Sequence, residues 1–119
     1  MKKLTKKQIK RAEKRAINKQ FKEWSHTVKV RDGFKCVVCE SNQYLNSHHL
    51  ISRKNKELRF DIDNGLTLCA KHHLFDMEIS AHKNSFPLII WLMINRPEQF
   101  NKLKNYILNK NVSNVSIIN

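Results

Sequence analysis

The sequence predicts a small α+β fold, mostly helical, in which a short hairpin is stapled by a metal ion. Both ends of the chain carry apolar residues at helical spacing, whereas the middle has two short segments with strand character. Pairs of Cys and His residues flank those two segments. A chain of 119 residues buries only a thin hydrophobic core, so we expect bound metal to supply part of its stability.

The first element is predicted to be a long basic helix. Thr5 and Gln8 have the spacing of a capping box, and apolar residues recur from there at helical intervals as far as Ile17. Bulkier apolar residues follow, and the pair Asp32-Gly33 is a stop signal. The helix is therefore expected to continue, or to restart, up to that pair.

Positive charge is concentrated at the N-terminal end. The formal net charge is +13, and residues 1–22 hold ten Lys or Arg against one Glu. We treat residues 1–23 as a basic arm whose charge favours nucleic acid, since its narrow apolar stripe does not suit a membrane surface. A solvated face and a disordered arm that orders on DNA are the alternatives. The candidate phosphate contacts in the arm are Lys6, Lys7, Lys10, Arg11, Lys14 and Arg15.

The middle of the chain is predicted to form a turn and two strands that are close enough to pair. Residues 35–39 have the form of a knuckle turn, and residues 45–51 and 65–69 read as strands. Helical residues resume near Ala70.

Two more helices and a tail complete the predicted fold. Ser-Phe-Pro at 85–87 is a good helix start, and this helix is expected to run to about residue 94. A last helix is predicted over residues 97–109. The main domain is then 24–109, and residues 110–119, rich in Asn, are expected to be mobile.

The strongest motif is a pair of metal half-sites. Cys36 and Cys39 are separated by two residues, as are Cys69 and His72. This spacing lets both ligands of a turn reach one tetrahedral Zn²⁺, and a closed site with four protein ligands is structural. Burial of the cysteines as small apolar residues is the weaker alternative. We predict a structural zinc ion and expect any chemistry to lie elsewhere.

The expected compartment is the cytoplasm. Three cysteines would leave one thiol outside any disulfide, and no apolar segment follows the basic N-terminus as in a signal peptide. The longest apolar stretch is far shorter than the ~20 residues of a membrane span. The 17 Lys against 6 Arg suggest an AT-rich genome such as that of a phage, which would place the protein in a bacterial host cell.

Between and after the half-sites, His49, Asn64 and His73 follow one another at gaps of 15 and 9 residues. This order and setting resemble the HNH, or ββα-metal, endonucleases, in which a two-stranded hairpin and a helix hold a divalent cation. The resemblance extends from about Trp24 to Trp91. Within this range the chain is similar to phage-encoded members of the family. It covers neither the basic arm nor the last helix.

The resemblance implies a role for each matching residue. His49 is the implied general base and Asn64 the residue that ties down the hairpin loop, while His48 and His73 hold a catalytic cation. That cation is Mg²⁺, Mn²⁺, Ni²⁺, Co²⁺ or Zn²⁺. Imidazole ligands favour the last four of these ions over Mg²⁺. Either Arg53 or Arg59, on the connecting loop, is expected to neutralise phosphate.

The chain departs from the colicin-type pattern one turn after His73. Met77 stands where those enzymes have a third His ligand, and a thioether suits a hard cation poorly. His82 lies nine positions after His73, about 2.5 turns along a continuous helix. We therefore expect His82 to be structural or to contact phosphate, unless the helix breaks.

The predicted function is metal-dependent hydrolysis of DNA, by nicking or by double-strand cutting, that leaves 5′-phosphate and 3′-hydroxyl ends. The alternative is a zinc-stapled DNA-binding protein without catalysis, such as a regulator. Only the nuclease needs two adjacent histidines on a hairpin together with Asn64 and His73. DNA specificity and the choice between monomer and homodimer are left open by the sequence.

Overall fold

The structure is a computed structural model that describes residues 2–112. The described part has three α-helices and one two-stranded antiparallel sheet, so the predicted α+β, mostly helical fold is confirmed. The elements are α1 (Lys6–Arg31), β1 (Leu45–His49), a 3₁₀ turn (Ile62–Asn64), β2 (Gly65–Cys69), a π-helical turn (Lys71–Phe75), α2 (Phe86–Asn95) and α3 (Pro97–Val112).

Helix α1 is one continuous helix whose two ends match the predicted signals. The Thr5 hydroxyl accepts from the Gln8 backbone N–H at 3.1 Å, and the Gln8 side chain accepts from the Thr5 backbone N–H at 2.8 Å. Asp32 is the C-cap, and Gly33 follows with φ +71°. The helix therefore runs unbroken across the expected boundary between residues 23 and 24.

Only the C-terminal half of α1 is packed against the rest of the protein. Its buried residues are Trp24 and Val28, whereas every residue from 6 to 16 is exposed. The radius of gyration, 17.0 Å, exceeds the roughly 13.5 Å typical of a compact chain of this length because the first half of α1 projects from the domain. The basic segment is thus a helical arm.

The hairpin sets the positions of the central histidines. In the β1–β2 register His48 lies opposite Leu66 and His49 lies opposite Gly65. Successive residues of a strand point to opposite faces, so these two imidazoles face different parts of the protein. Strand β1 ends at His49, two residues before the predicted end.

The core lies between the hairpin and α2. Leu66 and Leu68 of β2 pack with Leu88 and Leu92 of α2 and with the two buried cysteines, and all of these side chains are nearly inaccessible to solvent. All five residues of β2 are buried, because α1 also packs on this strand. Cys36 and Cys69 are therefore part of the core, whereas Cys39 is exposed.

The C-terminal half differs from the sequence-based expectations in three details. The helix predicted from Ala70 is a single π-helical turn that ends at Phe75. Ser85 is the N-cap of α2, but its side chain makes no capping hydrogen bond. Helix α3 continues to Val112, past the expected end at residue 109, and the rest of the expected tail lies outside the described residues. None of the helices in residues 2–112 is long and apolar enough to cross a membrane.

Candidate functional site

The two half-sites come together as one cluster of four ligands. The ligand atoms of Cys36, Cys39, Cys69 and His72 lie within 4.8 Å of one another. Cys39 Sγ is 3.7 Å from Cys69 Sγ, and His72 Nδ1 is 3.7 Å from Cys36 Sγ and 3.4 Å from Cys69 Sγ. A tetrahedral zinc ion with Zn–S of about 2.3 Å and Zn–N of about 2.1 Å requires edges of about 3.8 and 3.6 Å. The four side chains therefore fit a zinc ion.

A carboxylate that the sequence analysis missed supports this cluster. Asp76 Oδ2 lies 3.5 Å from Nε2 of His72, the ring nitrogen that faces away from the sulfur atoms. A carboxylate behind a ligating imidazole fixes the ring and its tautomer, as in many zinc proteins. The position of Asp76, four residues after His72 and just past the π-helical turn, is the only sequence signal for this role.

A second cluster consists of three histidines. The ring nitrogens of His48, His73 and His82 lie within 4.8 Å of one another, and Nε2 of His73 is 3.1 Å from Nε2 of His82. Two nitrogens bound at about 2.1 Å to one cation are separated by about 3.0 Å in octahedral and 3.4 Å in tetrahedral geometry. The cluster therefore has the dimensions of a three-imidazole site for a divalent cation.

The prediction that a helix keeps His82 away from His73 is wrong. The π-helical turn ends at Phe75, and the chain then folds back on itself. The backbone N–H of Ala81 donates to the carbonyl of His72 at 2.9 Å, and that of His82 donates to the carbonyl of His73 at 3.1 Å. Met77, at the position of the expected third ligand, is instead 72% exposed.

Two of these imidazoles, His48 and His73, have a lowered pKa that favours the neutral form. Burial lowers the pKa of His48 to about 4, with further lowering by the neighbouring His73, His82 and His49. Burial also lowers the pKa of His73, and the nearby His82 adds to the effect. Neutral imidazoles have a free lone pair, which is the form that ligates metal. Nδ1 of His73 is buried and has no hydrogen-bond partner among the described residues.

His49 is fixed by contacts on two sides. Its ring stacks on Trp24, with 3.8 Å between centroids and 8° between planes, and the edge of Phe21 lies 5.7 Å away. Nε2 is 2.9 Å from the carbonyl oxygen of Arg59. A carbonyl only accepts, so this nitrogen carries the hydrogen and Nδ1 keeps the basic lone pair. Burial lowers the pKa of His49, which favours the neutral ring.

Asn64 ties down the loop that follows β1. Its side chain is completely buried, accepts from the backbone N–H of Ile51 at 2.6 Å, and donates to the carbonyls of Ile51 and Leu58 at 2.9 and 3.1 Å. Its own carbonyl accepts from the N–H of Leu50 at 3.1 Å. These bonds hold the residues immediately after His49.

Further contacts to this loop come from residues that sequence reasoning did not single out for this role. Trp24 Nε1 donates to the carbonyl of Asp61 at 2.7 Å, in addition to stacking on His49. The buried Gln99 of α3 donates to the carbonyls of Asp63 and Gly65 at 2.8 and 3.0 Å. Each contact joins elements far apart in sequence, so no local pattern signals it.

The hairpin and the start of α2 enclose a cavity of about 640 Å³. Its lining includes His48, His49, His73, His82 and Arg53. The other loop arginine, Arg59, lies outside this cavity, and both guanidinium groups sit over the ring of Phe21, at 4.4 Å for Arg53 and 5.9 Å for Arg59. Of the six predicted arm contacts, Lys10 and Lys14 line a groove with both arginines, and the other four are exposed elsewhere on α1.

No family model, curated protein or solved structure matches the chain. The fold and the cysteine cluster define a small α+β protein with a Cys₃His group that suits zinc.

Proposed function

We propose that this protein is a metal-dependent DNA endonuclease of the HNH type. The observation that carries the proposal is the single cavity that gathers His49, the three-histidine cluster and Arg53. A nuclease needs a base, a cation site and a positive group for phosphate at one place. A zinc-stapled DNA-binding protein without catalysis has no use for the same combination.

His48, His73 and His82 are the residues that would hold the catalytic cation. Three imidazoles leave coordination positions open for substrate and water, unlike the closed Cys₃His cluster. When bound, the cation would supply Lewis-acid stabilisation of the charge on the scissile phosphate and its leaving oxygen. By ligand type the site favours Mn²⁺, Co²⁺, Ni²⁺ or Zn²⁺ over Mg²⁺.

His49 acts as the general base in this proposal. The carbonyl of Arg59 holds the hydrogen on Nε2, which leaves Nδ1 to take a proton from the attacking water. The new bond forms between the water oxygen and phosphorus, the bond from phosphorus to the 3′ oxygen breaks, and that oxygen takes a proton from solvent. The products are a 5′-phosphate and a 3′-hydroxyl.

Asn64 and Trp24 keep the base in place without touching substrate. Asn64 holds the backbone after His49, and Trp24 holds the plane of its ring. A general base contributes about 10²- to 10⁴-fold only when it lies within hydrogen-bond reach of its proton, so these contacts bear directly on rate.

The test is cleavage of supercoiled plasmid by zinc-loaded protein with a panel of divalent cations. The parent is compared with His49→Ala and with His26→Ala. His26 is a matched control, because it is an exposed histidine of α1 whose ring contacts Phe34, away from the cavity. We expect metal-dependent cleavage by the parent and by His26→Ala, and a loss of about 10²-fold or more in His49→Ala.

Folding is controlled in the same samples by zinc content and thermal melting. Absence of cleavage by the folded, zinc-loaded parent with every cation would contradict the proposal and favour the non-catalytic DNA-binding alternative. Parental rates from folded His49→Ala would refute the role of the base.

A further inference from the structure

A groove of about 470 Å³ lies between the arm and the loop after β1. Five cationic side chains line it together with Phe21: Lys10, Lys14, Arg53, Lys54 and Arg59. Glu13 is the one acidic residue among the lining residues, so the groove carries a formal charge of +4. None of the ion pairs found in the described part of the chain involves any of these five cations. Their charge is therefore available to a ligand.

The cations of the groove come from two elements, α1 and the loop after β1. Lys10, Lys14 and Phe21 lie on one face of α1, because residues at intervals of about 3.6 positions share a face. The Phe21 ring then supports both loop guanidinium groups by cation–π contacts. From Lys10 to Phe21 the helix rises about 16 Å, and Lys10 and Lys14 are about 6 Å apart along its axis. That interval is close to the axial rise of two phosphates of one DNA strand, about 6.8 Å.

Arg53 connects the groove to the histidine cavity, because it lines both. A chain of phosphates lying along α1 would therefore pass over Arg53 and reach His48 and His49 without leaving positive surface. Arg59 lines only the groove. The sequence does not distinguish Arg53 from Arg59, but the structure places only Arg53 at the cavity.

We propose that this groove binds the phosphate backbone of the DNA strand that enters the histidine cavity. One face of the arm contacts the DNA backbone here, through Lys10 and Lys14. The positive charge of the arm as a whole does not set this contact. The inference rests on the proposed nuclease function and adds to it the path of the substrate.

The test compares two double variants of the full-length, zinc-loaded protein. Lys10→Ala/Lys14→Ala removes two charges from the groove. Lys19→Ala/Lys22→Ala removes two charges from exposed positions of the same helix that do not line the groove. Both pairs are exposed and Ala favours helix, so circular dichroism should be unchanged. Binding of a fluorescein-labelled 25-base-pair duplex is measured against salt, without added catalytic cation.

Counterion release predicts the size of the effect. Loss of two phosphate contacts flattens the slope of log affinity against log salt by about 1.8, which corresponds to about a 60-fold loss of affinity at 0.1 M salt relative to the 1 M reference. Neither control residue lines the groove, and salt screens exposed charges, so the control pair is expected to lose no more than about threefold with little change in slope.

The outcomes separate this inference from the proposed function. Equal losses of affinity in the two double variants would refute the groove as a DNA-binding site, and so would a parental salt slope in Lys10→Ala/Lys14→Ala. Neither result would contradict the proposed nuclease function. No binding of duplex by the folded parent would overturn both. Plasmid cleavage by the parent, measured in parallel, reports on the nuclease alone.

Discussion

Replacement of Asp32 by Asn should destabilise the fold strongly, because this carboxylate joins three parts of the protein. Its side chain is completely buried at the end of α1. One oxygen accepts from Arg31 Nε at 2.9 Å and Arg96 Nη1 at 2.7 Å. The other accepts from Arg31 Nη2 at 3.0 Å and from the backbone N–H of Thr67 in β2 at 2.9 Å. Asp32 therefore ties α1 to β2 and to the junction of α2 and α3.

The magnitude follows from these four hydrogen bonds. Asn keeps one oxygen, so two bonds survive, while its NH₂ group meets two donors and loses theirs. Hydrogen bonds to a charged group are worth about 1.5–3 kcal/mol each, and removing one partner of a buried ion pair costs about 3–5 kcal/mol. The side chains of Arg31 and Arg96 are 25% and 27% exposed and can turn to water, which favours the lower end, about 3 kcal/mol.

The assay is urea and thermal unfolding at pH 7 with fixed free zinc. A loss of about 3 kcal/mol corresponds to about 12 °C in Tm for a chain of this size. Glu13→Gln is the matched control, since it also removes one negative charge, but from an exposed position of α1. A change of less than about 1 kcal/mol in Asp32→Asn, with the control unchanged, would refute the reasoning.

The same substitution predicts a pH dependence. Burial by itself raises the pKa of Asp32, but hydrogen bonds from Arg31 and Thr67 and the charges of Arg31 and Arg96 outweigh it, so the pKa lies below its usual 3.8. A carboxylate with a depressed pKa stabilises the fold above the unfolded value and loses this contribution as pH falls through the folded one. The difference between parent and variant should therefore be constant near neutrality and shrink below pH 3.8.

Four further changes test other parts of the structure. Gly65→Ala places a Cβ 2.7 Å from side-chain atoms of Trp24 and Val28, so urea unfolding should show a loss of about 1–3 kcal/mol, and an unchanged midpoint would contradict that packing. Cys36→Ser/Cys39→Ser should lose zinc and melt at lower temperature, because metal binding at such a site is folding free energy; parental metal content and Tm would refute the staple. Asn64→Ala should retain zinc yet lower the single-turnover cleavage rate, whereas parental cleavage would contradict its positioning role. His82→Ala should raise the concentration of Mn²⁺ or Co²⁺ needed for half-maximal cleavage, and an unchanged titration would exclude it as a ligand.

The sequence by itself determined the features that depend on neighbours a few residues apart. The capping box at Thr5, the end of α1 at Asp32 and the two half-sites at Cys36 and Cys69 are local patterns, and the structure has each of them. The physical reason is that caps and two-residue gaps fix backbone groups and ligands within a single turn, so no distant contact is needed to form them. The paired strands followed because both segments were short and close enough in sequence to pair.

The tertiary structure decided what depends on residues distant in sequence. His82 joins His73 because the helix stops at Phe75 and the chain returns, and a periodic pattern could not reveal that reversal. Gly65 lacks a Cβ, which lets Trp24 approach β2 closely; the same Trp stacks on His49. Such contacts form only after folding has brought separate segments together, because their free energy comes from burial and packing between elements and not from the conformational preference of any one segment.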